Sequence, residues 1–471
     1  MAIAAVAVHA PQPPIDFNFD YGGIINIPVI IYLLLKTIIM KLSKFNTSIF
    51  YNGKFIYHNS LTQHFLLLEP LLMDLVKAAG NENNIMGIEQ VHEELYRSLL
   101  INGFIVPKET DEIQKVRELI NEVDNQDQSY HLMVNPTMNC NFKCWYCYET
   151  HIKGSKASPG TLEKITNLVE NIMTNKPGLK QFILSFFGGE PLLYYEDVVL
   201  PLMQYTVHAA KHHGLALGVS FTTNGFLITK DMVEDFLKYN VTGLQISFDG
   251  NKEQHDQTRY VSKSRGSYDV IVENIKLLVR KGIPVTMRIN YTEKNLIGLE
   301  DVLESFSDLN YEQRQQITLS MNKVWQETNE DLGNQVVDFK ERSAEFGFKL
   351  PDAFQGNLVR NSCYADKRNQ SVINYNGDVY KCNARDFTKD NREGILLEDE
   401  ILWNHKMEDR MSIKLKNKPC LECSILPICG GGCSQQALEY QGKDYCVNDF
   451  DENKKKDIVL NMFLSKSLIH A

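Results

Sequence analysis

Three cysteines near residue 140 have the types and the spacing that say most about chemistry. Cys140, Cys144 and Cys147 lie in the stretch C-N-F-K-C-W-Y-C, with the spacing C-x3-C-x2-C. Three soft thiolates so close together suit an iron–sulfur cluster. A 4Fe–4S cluster takes four protein ligands, so a run of three would leave one iron open to a substrate or cofactor. On this motif alone the alternatives are a zinc site and three reduced cysteines that are neighbours by chance.

The other seven cysteines all fall in the last quarter of the chain. Thirteen residues separate the first of them from Gly377, and four more lead to the second. The next four have the spacing C-x2-C-x5-C-x3-C, and twelve residues precede the last. Zinc is an alternative here too, whereas clustering in so long a chain argues against a disulfide framework. These residues are Cys363, Cys382, Cys420, Cys423, Cys429, Cys433 and Cys446.

Both groups resemble motifs of one enzyme family. With Tyr146 as the aromatic residue, the first group resembles the C-x3-C-x-aromatic-C signature of radical SAM enzymes. The second resembles the seven-cysteine pattern of the SPASM domain. The resemblance implies that the open iron binds S-adenosylmethionine (SAM), and that one electron from the cluster yields a 5′-deoxyadenosyl radical. That radical would abstract a hydrogen atom from the substrate.

The same resemblance distributes the ten cysteines over three 4Fe–4S clusters. The SAM-binding cluster takes Cys140, Cys144 and Cys147. The other two are auxiliary clusters, and the inner one lacks a fourth cysteine. The outer auxiliary cluster takes Cys420, Cys423, Cys429 and Cys446, and the inner one takes Cys363, Cys382 and Cys433.

Two further motifs predict the residues that contact SAM. The run G-G-E-P, with Gly188, Gly189 and Glu190, follows a predicted strand and resembles the motif that meets the amino group of SAM. Its glycines expose backbone polar groups, and the glutamate adds an acceptor. Ser247 and Arg259 lie in a segment that resembles I-S-x-D-G-x4-H-D-x2-R of SPASM enzymes. Ser247 is predicted to bind the SAM carboxylate or ribose, and Arg259 is predicted to pair with the carboxylate. The alternative is that both motifs are turns that support the fold.

Alternating strand and helix patterns from residue 131 onward predict the fold class, which is α/β. Six βα units indicate a parallel sheet with crossover helices. The resemblance implies a partial (β/α)6 TIM-type radical SAM barrel over residues 126–345, with function at the C-terminal ends of the strands. A C-terminal cysteine-rich SPASM domain is predicted over 346–471. Residues 40–125 predict a small winged-helix-like α/β module, which either recognises a peptide leader or is a structural adaptor.

Composition and the first 39 residues limit the partners. The 471-residue chain has a net charge of −10, which does not indicate nucleic-acid binding. Ten cysteines proposed as metal ligands indicate a reducing, cytoplasmic compartment. The apolar run before Met40 is interrupted by Pro28 and Lys36, so residues 1–39 are either an anchor-like segment or extraneous sequence before a start at Met40. We favour the second interpretation and therefore predict no membrane partner.

Two reactions compete. The overall pattern most resembles Bacteroidales-type SPASM peptide maturases, which implies a thioether or carbon–carbon crosslink in a ribosomally made precursor peptide with a leader. Anaerobic sulfatase maturases, which make formylglycine, carry an Asp base after the cysteine that matches Cys382, where this chain has Asn383. They also usually carry an eighth SPASM cysteine. A non-catalytic iron–sulfur protein is the third possibility. Both enzymatic interpretations imply an electron donor such as flavodoxin or ferredoxin.

Overall fold

The computed structural model describes residues 39–262, 264–329, 332–351 and 357–469. The chain forms two compact units. The first unit comprises Met1–Asp124, Ala353–Cys363 and Ile413–Ala471, and the second comprises Asn125–Asp352 and Tyr364–Ser412. The segment 346–471, predicted as one SPASM domain, contributes to both units. The prediction for residues 1–39 lies outside the described residues except at position 39.

The N-terminal part of the first unit is a small α/β module. β1 pairs antiparallel with β5, and β2, β3 and β4 form a separate antiparallel sheet. Asn52 and Gly53 form the tight turn that joins β2 to β3, with φ of 48° and 80°. The elements are β1 (Met40–Leu42), β2 (Asn46–Tyr51), β3 (Lys54–Asn59), β4 (His64–Leu68), α1 (Pro70–Asn81), α2 (Met86–Val91), α3 (Glu93–Ile101), β5 (Ile105–Pro107) and α4 (Glu112–Asp124).

The second unit contains most of the strands. They are β6 (Ser129–Asn135), β7 (Gln181–Phe186), β8 (Ala216–Thr223), β9 (Val241–Phe248), β10 (Tyr260–Ser262), β11 (Arg265–Gly266), β12 (Val285–Tyr291), β13 (Ile317–Lys323), β14 (Gln370–Asn374), β15 (Asp378–Tyr380), β16 (Gly394–Leu396) and β17 (Ile401–Trp403). Its helices are α5 (Pro159–Asn175), α6 (Leu200–His212), α7 (Lys230–Lys238), α8 (Lys252–Thr258), α9 (Tyr268–Arg280), α10 (Glu293–Leu296), α11 (Asp301–Glu304), α12 (Tyr311–Arg314), α13 (Gly333–Glu345) and α14 (His405–Ile413), whose last residue belongs to the first unit.

Ten of these strands form one sheet in the order β13-β12-β9-β8-β7-β6-β14-β15-β16-β17. The seven strands from β13 to β14 are parallel, and the last three pair antiparallel. The predicted parallel sheet with crossover helices is therefore confirmed. Helix α5 begins at Pro159, and Ser158 Oγ caps it by accepting a 3.0 Å hydrogen bond from the Thr161 N–H. Parallel strands bring their C-terminal ends to one edge of the sheet.

The C-terminal part of the chain returns to the first unit. Its helices are α15 (Lys418–Leu421), α16 (Leu426–Cys429), α17 (Ser434–Glu439) and α18 (Glu452–Ile469). Buried Ile428 and Val459 pack in one apolar cluster with Ile49 of β2 and Phe65 of β4. The N-terminal module and the C-terminal helices therefore share a core in this unit. Within the described range, every helix is too short or too polar to cross a lipid bilayer.

Candidate functional site

A cavity at the C-terminal ends of the parallel strands collects most of the predicted site residues. Its open volume is about 990 Å³, part of which is solvent. Three charged residues, Glu149, Arg288 and Lys323, also line it. Of the eight residues predicted for the first cluster and SAM, seven line the cavity: Cys140, Cys144, Cys147, Gly188, Gly189, Ser247 and Arg259.

The loop that carries the three cysteines lies directly against the G-G-E-P loop. Glu190 N–H donates to the Asn139 carbonyl at 2.9 Å, and Gly189 N–H donates to Glu149 Oε2 at 2.8 Å. Gly189 has φ of 46°, and a Cβ placed there would lie 2.2 Å from the Asn139 oxygen. Because that oxygen belongs to the backbone, only glycine allows the two loops to approach this closely.

Glu190 is the predicted residue that does not line the cavity. Its buried carboxylate accepts hydrogen bonds from Thr223 Oγ1 at 2.6 Å, from Asn224 N–H at 2.8 Å and from Leu192 N–H at 3.1 Å. Burial raises the pKa of Glu190, and these donors lower it. The side chain thus ties the loop after β7 to the end of β8.

Arg259 lines the cavity but already has partners inside the protein. Its Nε donates to Asp249, and its Nη2 donates to the Tyr146 hydroxyl at 2.7 Å. The Tyr146 hydroxyl donates to Asp249 Oδ1 at 2.5 Å and accepts from Asn290 Nδ2 at 3.1 Å. Burial raises the pKa of Tyr146 well above its usual value, which keeps the hydroxyl protonated. The network therefore fixes the aromatic residue of the cysteine motif against β9 and β12.

Ser247 has a charged neighbour in the sheet. Strands β9 and β12 pair in parallel register with Ser247 beside Arg288, and both residues line the cavity. Arg288 Nε donates to Asn290 Oδ1 at 3.0 Å. Within the described part of the chain Arg288 forms no ion pair. It is therefore a cation that can receive an anionic group in the cavity.

The buried groups of the cavity fit a metal cluster and a ligand with an amino group. Burial raises the pKa of Cys140 to about 12 and that of Cys147 to about 11, so without a metal both are neutral thiols. Burial also raises the pKa of Glu149 to about 7, and its Oε1 is buried with no hydrogen-bond partner. Ligand atoms of Cys147, Glu149 and His151 lie within 4.8 Å of one another, so zinc remains a chemical alternative.

In the first unit, the four cysteines predicted for the outer auxiliary cluster line one pocket of about 410 Å³. Asn417 Nδ2 donates to Cys420 Sγ at 3.0 Å, and burial raises the pKa of that thiol to about 11. Of the inner set, Cys363 and Cys433 belong to the first unit and Cys382 to the second, so this set stays a prediction. All ten cysteines lie in the described part of the chain, and none forms a disulfide. The four outer cysteines are Cys420, Cys423, Cys429 and Cys446.

A model of a known protein family matches the part of the chain that holds this site. The model of the Radical SAM superfamily matches residues 134–305, a range that holds the first cysteine motif, G-G-E-P, Ser247 and Arg259. The chain is a radical SAM enzyme. Its curated relatives include the radical SAM cyclopropyl synthase TigE of Paramaledivibacter caminithermalis. That relative is 25% identical over 79% of this chain and 81% of its own length.

Two other relatives are a sulfatase-maturating enzyme and a mycofactocin maturase. The cysteine-type anaerobic sulfatase-maturating enzyme of Clostridium novyi is 23% identical over 65% of this chain and 88% of its own length. The mycofactocin maturase MftC of Mycolicibacterium smegmatis is 24% identical over 68% of this chain and 82% of its own.

Solved structures share the fold of this radical SAM enzyme. anSMEcpe with bound AdoMet and Cp18Cys peptide covers 73% of this chain and 99% of its own, with 17% identity and a TM-score of 0.54. Streptococcus suis SuiB bound to the precursor peptide SuiA covers 86% and 98%, with 16% identity and a TM-score of 0.51. At these identities the likeness is one of fold.

Sequence reasoning missed Glu149. Glu149 stands two residues after the last cysteine of the motif, and this position was a usable signal. On β12, Arg288 lies between buried Met287 and Ile289 and lines the cavity together with Asn290, two residues further along the same face. Thr223, which donates to Glu190, and Tyr146, which accepts from Arg259, come from distant segments, and no local pattern indicates them.

Proposed function

We propose that this radical SAM enzyme modifies a ribosomally synthesised precursor peptide by forming a thioether or a carbon–carbon crosslink. One observation carries the proposal. A single cavity of about 990 Å³ is lined by three cysteines, two glycines of G-G-E-P and Ser247, and it opens to solvent. This lining combines thiol ligands for a cluster with polar groups for a cofactor, and the opening gives a peptide access to them.

Each group of residues has a role in this proposal. Cys140, Cys144 and Cys147 hold the catalytic cluster, and the loop of Gly188 to Glu190 and Ser247 form the SAM site. Arg259 positions the Tyr146 side chain of the cysteine loop through the hydrogen bonds described above. The bound cluster and SAM supply the 5′-deoxyadenosyl radical. The protein orients these groups and limits their contact with water.

The relatives support a crosslink as the product. TigE is named a cyclopropyl synthase, and closing a cyclopropane ring makes a carbon–carbon bond. MftC is named a maturase. Crosslinks of either type remove two hydrogen atoms from the peptide, so the product has a defined change in mass. The finer likeness to Bacteroidales-type maturases stays a prediction.

Formylglycine formation is the second candidate, because sulfatase-maturating enzymes are among the relatives. The position where that reaction is expected to need an Asp base holds Asn383. The Asn383 side chain accepts a hydrogen bond from the Tyr364 hydroxyl, and its Nδ2 lies 3.2 Å from Met133 Sδ. A neutral amide cannot accept a proton at neutral pH, so this observation favours the crosslinking reaction.

The remaining parts of the chain complete the proposal. Residues 40–125 are proposed to bind the leader of the precursor, and the C-terminal cysteines are proposed to hold two auxiliary clusters. The winged-helix-like form of this module, the partial barrel and the SPASM domain remain proposals. A low-potential donor such as flavodoxin or ferredoxin supplies electrons, and the reducing cytoplasm is the expected compartment.

Coexpression with a small peptide encoded beside the enzyme tests the reaction. We expect tandem mass spectrometry to find the peptide lighter by two hydrogen atoms, with fragment ions missing between the crosslinked residues. The matched control is the enzyme with Cys140, Cys144 and Cys147 changed to alanine, which must leave the peptide unmodified. Formylglycine in a C-x-P-x-R peptide treated with the wild-type enzyme would instead support the second candidate.

A further inference from the structure

We propose that Glu149 receives the α-amino group of SAM. This inference deepens the proposed function, because it rests on the cavity being the SAM site. The main observation concerns one carboxylate oxygen of Glu149. Glu149 Oε1 is buried and has no hydrogen-bond partner, although the residue lines the cavity of the three cysteines. A buried carboxylate oxygen without a donor is costly unless a ligand supplies one.

The position of Glu149 is fixed by its second oxygen. Oε2 accepts the Gly189 N–H at 2.8 Å, so the carboxylate is attached to the glycine loop that the sequence predicts at the amino group. Ligand atoms of Glu149 and Cys147 also lie within 4.8 Å of each other. The carboxylate therefore stands beside both the glycine loop and a predicted cluster ligand.

No other carboxylate of the described residues competes for this role. Glu190, the acid inside G-G-E-P, gives its two oxygens to Thr223, Asn224 and Leu192 and does not line the cavity. Glu149 is the only acidic residue among the described residues that line it. An amino group entering next to Gly189 thus meets one acceptor with an unused oxygen, and hydrogen bonds to ionised groups are the stronger ones.

The test separates recognition of the amino group from support of the loop. In Glu149→Gln, the amide oxygen can still accept the Gly189 N–H, while an NH2 group replaces the unused acceptor. Affinities are measured by anaerobic calorimetry on reconstituted enzyme with the cluster oxidised, so that SAM is not cleaved. The two probes are SAM and the SAM analogue whose α-amino group is replaced by hydrogen.

We expect Glu149→Gln to weaken SAM binding about tenfold or more, as for a lost hydrogen bond to a charged group, and to leave the deaminated analogue within about twofold of wild type. Asp386→Asn is the matched control. It removes a carboxylate whose charge acts on Glu149 but which does not line the cavity, and both affinities should persist. Iron content and the ultraviolet–visible spectrum of each variant verify the cluster.

Equal weakening for both probes would show that Glu149 only supports the loop, and unchanged SAM binding would show no contact; either result overturns the proposal. If the wild-type holoenzyme did not bind SAM, that result would instead contradict the proposed function. The two failures are therefore distinguishable.

Discussion

Ser247 and Arg288 stand side by side at the cavity, one with a hydroxyl and the other with a guanidinium. The Arg259 guanidinium is engaged by Asp249 and Tyr146, whereas Arg288 forms no ion pair within the described residues. A planar guanidinium suits a carboxylate. Arg288, next to Ser247, is therefore better placed than Arg259 to meet the carboxylate of SAM.

This assignment predicts a selective effect of Arg288→Gln. SAM should bind about tenfold more weakly or worse, because a charge-assisted hydrogen bond is lost. Decarboxylated SAM, which has no carboxylate to lose, should bind the variant and the wild-type enzyme alike. Calorimetry on the oxidised holoenzyme measures both affinities. Arg280→Gln, on α9 with Asp308 as its partner, is the control. A parallel loss for both ligands would contradict the assignment.

At the scale of single residues, the sequence predicts those site residues that lie close together along the chain. Cys140, Cys144 and Cys147 lie within eight residues, so the motif alone brings them together, and the structure places all three at one cavity. The hydrogen-bond partners of buried charged side chains cannot be predicted in this way. Asp249 and Tyr146 meet at 2.5 Å although they are 103 residues apart, and only tertiary packing establishes such a contact.

Among the elements, two loops decide the geometry of the site. The loop after β6 carries the cysteines, the loop after β7 carries G-G-E-P, and they join through the Glu190–Asn139 and Gly189–Glu149 hydrogen bonds. Their contact is possible because position 189 has no Cβ. The SAM site should therefore depend on this one glycine more than on the average glycine of the fold.

Gly189→Ala tests this dependence. Its Cβ would lie 2.2 Å from a backbone oxygen, so the loops must separate. We expect SAM affinity to fall about tenfold or more, since the hydrogen bond of Gly189 to Glu149 is disturbed. Gly214→Ala is the matched control: its φ of 66° carries similar strain, about 1–2 kcal/mol, but nothing lies within 4 Å of the new Cβ.

Melting temperature and SAM affinity are measured for both glycine variants. Both should melt earlier than the wild type, and only Gly189→Ala should lose SAM affinity. Normal SAM binding by Gly189→Ala would show that the close approach of the loops is not required.

Regular elements followed from the sequence where their signals are local. The predicted parallel strands are present, and Asn-Gly dipeptides, whose turn preference is local, join β2 to β3 and β14 to β15, with Gly377 at φ of 84°. The extension of the sheet by β14 to β17 was not predicted. It depends on β14 pairing with β6, more than 200 residues earlier in the chain, and strand patterns do not specify so distant a partner.

At the scale of the whole molecule, the division into two units is the feature that the sequence patterns predict least well. The polar stretch N-Q-D-Q occupies residues 125–128, and the structure divides between Asp124 and Asn125. The C-terminal third is shared between the units because Ile428 and Val459 pack against the N-terminal module, and such packing has no sequence signature. The four cysteines of the outer set lie wholly in the first unit, whereas the cavity of Cys140, Cys144 and Cys147 lies wholly in the second.

The central claim is that the cavity cysteines, and no others, hold the cluster that cleaves SAM. The most direct test measures 5′-deoxyadenosine from anaerobically reconstituted enzyme with SAM and dithionite, for the wild type, Cys144→Ala and the control Cys429→Ala. The wild type should form 5′-deoxyadenosine, Cys144→Ala should form none, and Cys429→Ala should retain measurable formation because its cysteine belongs to the other unit. Stoichiometric zinc with little iron, or equal 5′-deoxyadenosine formation by Cys144→Ala and the wild type, would contradict the account.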